Sequence, residues 1–144
     1  MRRPTLIALA AAAAFVSSAA SAAQLTVYKS PTCGCCAKWI EHVRQHGFAV
    51  KVVETEDMAG VKKRLGIPDK LASCHTTQVG GYFVEGHVPA ADIKRLLAQK
   101  PKAAGISVPG MPIGAPGMEH GDHKQPYATV LVGKDGKLSL FARH

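Results

Sequence analysis

The sequence has no apolar run of the roughly 20 residues that a bilayer-spanning helix requires. The one long apolar stretch, Leu6–Val16, is 11 residues. That length excludes a spanning helix and fits the core of an export signal. Arg2 and Arg3 supply a positive start, and "SSAASAAQ" supplies small residues, with Ala20-Ser21-Ala22 or Ser21-Ala22-Ala23 as cleavage sites. No cysteine follows that site, which argues against lipid attachment. Residues 1–23 are therefore read as a signal peptide and 24–144 as one mature domain outside the cytosol, with no stable membrane insertion. Charge is equally thin. The formal +8 falls to +6 without Arg2 and Arg3. "KKR" at Lys62–Arg64 is the only basic cluster and reads as a solvated helix face. With no aromatic residues interleaved among basic ones, nothing points to nucleic acid. There is no internal repeat.

Cysteine is scarce but concentrated. Three of the four lie in "KSPTCGCCAKW" as Cys33, Cys35 and Cys36, and the fourth is Cys74. An exported chain with four cysteines ordinarily carries two disulfides. Here a Cys33–Cys36 bridge would tie near neighbours, where loop closure stabilises least, and a Cys35–Cys36 bridge would be strained.

The elements come from periodicity. "QLTVY" alternates as a strand. Cys36, Trp39, Ile40 and Val43 recur at helical spacing, up to Gly47 as a C-terminal stop. "FAVKVVE" is a second strand, and Met58, Val61 and Leu65 mark a second helix, with Thr55 or Asp57 as its N-cap and Gly66 and Pro68 closing it. These form a βαβ unit, whose two strands run parallel. Thr77–Val79 and Tyr82–Val84 read as short strands around Gly80-Gly81, or as one bent strand followed by a turn at Glu85-Gly86. Pro89 opens a helix with Ile93, Leu96 and Leu97 inward. The Pro/Gly/Met-rich stretch at about 101–126 has no period and is expected to be one long loop. "YATVLVGKDGKLSLF" is a terminal β-hairpin. The whole is an α/β fold, a mixed central sheet with flanking helices and a C-terminal β-hairpin.

Two chemistries suit the cysteines. A Cys33-x-x-Cys36 pair at a helix N-terminus is a redox motif, because the helix dipole favours thiolate. The same dipole serves a metal, which also needs thiolates. Cys35 has no job in a redox pair, and "SCH" adds Cys74 and His75. Thiolate, thioether and imidazole together favour Cu(I), with zinc next; C-x-C-C plus one distant cysteine fits zinc poorly. Met111 and Met118 match no core stripe and are candidate soft ligands. His87, in "EGHVP", is a further candidate. His42 and His46 are spaced i, i+4 but lie off the apolar face, and His120 and His123 are a weaker collecting element in "MEHGDH". Trp39 and Tyr28 read as core or site wall.

The order βαβα then ββα, with CxxC opening the first helix, resembles the thioredoxin/glutaredoxin fold. Members carry a proline just before the third strand, facing the CxxC. "LASCHTTQV" has none near Cys74, so the resemblance sets Cys74 and His75 in that place. Over the mature chain, "YKSPTCGCCAKW", "SCHTTQVGGYFVEGHVPAADI" and "VPGMPIGAPGME" resemble the CopG-type family of exported copper-resistance proteins, long listed as a domain of unknown function. That resemblance implies a thioredoxin-like periplasmic protein that binds copper, more than one ion per chain being open. Cys33, Cys35, Cys36 and Cys74 would be thiolate ligands, and His75 and His87 accessory ones. Met111 and Met118 are weaker candidates, and the "HGDH" element inherits no role. Its implied partners are copper ions and other periplasmic copper-handling or efflux proteins. A thiol–disulfide or copper oxidoreductase using Cys33 and Cys36 is the alternative, and a disulfide-stapled structural module a third.

Overall fold

The computed structural model describes residues 23–144. The signal peptide read at 1–23 lies outside the described residues, apart from Ala23. In chain order the elements are β1 (Gln24–Lys29), α1 (Gly34–Gln45), β2 (Ala49–Glu54), α2 (Met58–Leu65), a 3-10 turn (Asp69–Leu71), β3 (Thr76–Val79), β4 (Tyr82–Glu85), α3 (Ala90–Gln99), β5 (Ala103–Ser107), β6 (Ala128–Gly133) and β7 (Leu138–Arg143). The strands make one seven-stranded mixed sheet ordered β2-β1-β3-β4-β5-β6-β7. β1 and β2 pair in parallel, as do β4 and β5, and the other neighbours are antiparallel.

The helices form where the periodicity places them. The buried residues of α1 are Cys36, Trp39, Ile40 and Val43. Asp57 caps α2, its side chain accepting from Gly60 N–H, and Gly66 ends it at φ +72°, in the left-handed region. The stripe on α3 is Ala90, Asp92, Ile93 and Leu96. The main core joins Leu25 and Val27 of β1 to Trp39 and Val43 of α1, Ile93 and Leu96 of α3, and Val84 and Ile106 of the sheet. A smaller cluster of Ile67, Leu71, Phe83 and Val132 packs apart from it, with Leu65 of α2 against it.

The stretch at 101–126 is not one long loop. Its first part is β5, seated between β4 and β6. Its sequence, AAGIS, carries one large apolar residue, so no alternation is visible. Gly105 explains the choice of small residues: a Cβ there would stand 2.2 Å from Phe83 O and 2.6 Å from the Phe83 ring. The neighbouring strand's aromatic ring lies over bare backbone there, a close approach that needs glycine. The terminal hairpin forms as expected, and β6 joins it to the rest through β5.

Candidate metal centre

Three segments meet at one end of the sheet. The first is the α1 N-terminus: Cys33 is the N-cap and Cys35 and Cys36 lie in the first turn. The second is the approach to β3, carrying Cys74 and His75. The third is the β4–α3 connection, carrying His87. The β3–β4 hairpin brings the last two together, pairing Thr76 with Glu85, while Gly86 N–H donates to His75 O at 3.0 Å. Gly86 is required there: its φ is +75°, and a Cβ would stand 2.6 Å from Val108 O.

Four sulfurs collect. Cys33 and Cys36 are joined as a disulfide, and Cys35 and Cys74 are free thiols. Cys35 Sγ lies 3.5 Å from Cys33 Sγ and 3.8 Å from Cys74 Sγ. The donor atoms of Cys33, Cys35, Cys36 and Cys74 all lie within 4.8 Å of one another, as do those of Cys74, His75 and His87. Cys74 belongs to both groups: its Sγ is 3.3 Å from His75 Nδ1 and 3.1 Å from His87 Nε2.

The imidazoles are prepared for a metal. Both are fully buried. Burial holds His87 below the ordinary histidine range and His75 well below it, with His87 adding to the effect on His75. Both are therefore neutral, the ligating form. His87 Nδ1 contacts Pro116 O at 2.7 Å. A carbonyl only accepts, so Nδ1 carries the proton and the Nε2 lone pair faces Cys74. This is the arrangement by which an outer partner orients a ligating histidine. His75 Nε2 is buried with no hydrogen-bond partner, an orphan that ordinarily needs an explanation. Trp39 walls the site, its ring 4.5 Å from the His75 ring and its Nε1–H donating to Val88 O at 2.8 Å. Burial, with Cys35 alongside, pushes the Cys74 thiol up to about 12. Without a cation the thiol stays protonated; a soft cation replaces that proton.

Met118 and Cys35 line the same cleft, together with Glu119 and His120. Met111 is 53% exposed. His42 is committed elsewhere, its Nε2 accepting from Ala90 N–H at 3.1 Å, and His46 is exposed.

Sequence reading missed the supports. Lys62, assigned to a solvated face in "KKR", turns inward and pairs with Glu85, which is fully buried. Glu85 also accepts from Ser73 N–H at 2.7 Å and Thr76 Oγ1–H at 2.6 Å, clamping both sides of Cys74-His75. Burial still raises Glu85 above the ordinary glutamate value, the Lys62 charge offsetting only part of that. Gly117 is the other support, at φ +83°, where a Cβ would stand 2.8 Å from Trp39 N and 2.9 Å from Cys35 O. The one legible signal for the clamp was a glutamate in an otherwise apolar strand, "YFVE".

A small α/β domain that gathers sulfur and imidazole donors at one end of its sheet carries a candidate metal site. The family model described as "Protein of unknown function, DUF411" matches residues 71–118. No curated protein matches the chain. Two solved structures are similar to it. Copper resistance protein copG, form 2, is 44% identical over 85% of this chain and 98% of that one, with a TM-score of 0.83. Form 1 is 45% identical over 84% and 96%, with a TM-score of 0.80. The chain belongs to the CopG-type family.

Proposed function

We propose that this protein binds copper through Cys33, Cys35, Cys36, Cys74, His75 and His87, and that it contributes to copper tolerance. The observation that carries the reading is the position of Cys74, whose sulfur is shared by a four-sulfur group and a sulfur–imidazole group. Once the Cys33–Cys36 disulfide is reduced, the four clustered sulfurs are a soft thiolate set suited to Cu(I), and the two imidazoles extend it to Cu(II). Sulfur shared between groups allows more than one ion per chain. The copper-resistance name of both structural relatives supports the same choice. The reading includes a thioredoxin-like scaffold, supported by the βαβ start and by CxxC opening α1, and a periplasmic location reached through a signal peptide at 1–23. No helix among the described residues is long and apolar enough to cross a membrane. Met118 is an outer thioether ligand at the cleft, and Met111 a more distant one.

A second reading has its own observation. The Cys33–Cys36 disulfide favours a thiol–disulfide or copper oxidoreductase. Breaking that bond takes two electrons, and reduction is also what frees two of the four thiolates.

The test is Cu(I) binding by the fully reduced chain under anaerobic conditions, against a chelating competitor. Copper binding predicts tight uptake that Cys33→Ser and Cys74→Ser both weaken. Uptake unchanged in both variants overturns it. Insulin reduction and copper oxidation assays decide the second reading: turnover that Cys33→Ser abolishes supports it, and no turnover rejects it.

A further inference from the structure

The segment that begins just past the matched residues 71–118 holds a second set of donors. His120 and His123 face each other across a one-bridge turn, His123 N–H donating to His120 O at 3.2 Å. Gly121 makes the turn tight, at φ +55° with open space where a Cβ would stand. The two rings stack 28° from parallel with centroids 6.2 Å apart, and both residues are exposed. A metal bonded to two imidazole nitrogens at about 2.0–2.1 Å each holds them roughly 3 Å apart as adjacent ligands and roughly 4 Å apart as opposite ones. Rings with centroids 6.2 Å apart come to the wider of these separations when each turns a nitrogen toward the other. Glu119 and Asp122 are the pair's neighbours in sequence, Glu119 Oε1 accepting from Gly117 N–H at 2.9 Å.

The other histidine pair, His42 half-buried and His46 exposed, lacks this freedom. His42 Nε2 accepts from Ala90 N–H, and His46 Nδ1 is held at 2.7 Å by His42 O. The C-terminal imidazole is engaged too, His144 Nε2 lying 2.9 Å from Asp92 Oδ2.

We propose that His120 and His123 form a surface site for a divalent transition ion, Cu(II) before others, on the cleft shared with Cys35. Imidazole and carboxylate are borderline-to-hard donors, and across such donors Cu(II) binds most tightly among the first-row divalent ions. The cysteines are soft and favour Cu(I), so the two sets differ in the oxidation state they select. The cleft, about 390 Å3, is lined by Cys35, Met118, Glu119 and His120. An ion held by His120 therefore sits at the edge of the cleft that Cys35 also lines. This site stands without the copper reading of the cysteines, and its test leaves them out.

The experiment uses the full chain carrying Cys35→Ser and Cys74→Ser with the Cys33–Cys36 disulfide intact, so that no free thiol reduces the probe. Cu(II) is titrated, followed by electron paramagnetic resonance and by the histidine ring signals in NMR. The expected result is an ion with nitrogen hyperfine structure whose paramagnetic broadening centres on the His120 and His123 rings. His120→Ala or His123→Ala should each weaken it beyond the about 10–100-fold typical of losing an outer-shell partner, and the double variant should lose it. Equal Cu(II) uptake by the double variant, or broadening centred on His42 and His46 or on His144, overturns the proposal. Should the double variant fail to fold, the broadening map of the unsubstituted rings decides alone.

Discussion

Replacing Glu85 with alanine removes one acceptor from three donors at once: Lys62 Nζ, Ser73 N–H and Thr76 Oγ1–H. Thr76 is fully buried and the Lys62 side chain is 17% exposed. Breaking a buried ion pair from one side costs about 3–5 kcal/mol, and each buried donor left unpaired costs about 1–3 kcal/mol. Two effects pull the other way. Lys62 can swing partly into water, and the fold no longer bears the burial of the Glu85 charge, which is what raises its pKa. The net expectation is a loss of about 3 kcal/mol of unfolding free energy, read by urea denaturation of the metal-free protein. Copper affinity should fall as well, because Ser73 and Thr76 hold the two flanks of Cys74-His75. Glu85→Gln keeps an acceptor and the volume, and should recover part of both losses. A Glu85→Ala variant within about 0.5 kcal/mol of the parent, the range of ordinary surface substitutions, with unchanged copper affinity, would refute the clamp.

Other substitutions test the remaining parts. Gly117→Ala should destabilise the metal-free protein by about 2 kcal/mol, combining strain at positive φ, of order 1–3 kcal/mol, with the close approach to Trp39 N and Cys35 O; a neutral melting temperature contradicts it. Gly105→Val should be worse, since even a Cβ meets Phe83 O at 2.2 Å, and hydrogen exchange should speed up across β4 and β5 in particular. Copper affinity should rise with pH by about tenfold per unit for each proton displaced, and Cys74→Ser should lower that slope by about one, because the Cys74 thiol, at about 12, is protonated until metal arrives. The same shift sets a stability trend without metal. A thiol raised in the folded state from 9.0 to about 12 contributes stability that is complete below pH 9 and lost as pH climbs toward 12. The parent should lose ground to Cys74→Ser across that window; parallel stability curves for the two proteins refute the shift.

The sequence carried the first half of the fold because its apolar residues repeat with clear periods. The α1 stripe of Cys36, Trp39, Ile40 and Val43 is the buried face found in the structure. It did not carry β5, because AAGIS shows no alternation when the reason for a small residue is a ring on the next strand. The donors were readable for a similar reason. Cys33, Cys35 and Cys36 are adjacent in sequence, and Cys74, His75 and His87 flank a hairpin announced by Gly80-Gly81. The supports were not. Lys62 looks like any lysine in a basic run, and only the packing of α2 near β3 and β4 turns it toward Glu85. Gly117 reads as one more glycine in a loop until Trp39 and Cys35 are seen beside it.

The central claim is that the cysteine group binds copper through sulfur, with Cys74 as the shared donor. X-ray absorption at the copper edge, on the reduced chain loaded anaerobically with Cu(I), measures this most directly. The account predicts a first shell dominated by sulfur with a nitrogen contribution, and a loss of sulfur scattering in Cys74→Ser. A first shell of nitrogen and oxygen alone, or one that Cys74→Ser leaves unchanged, would contradict it.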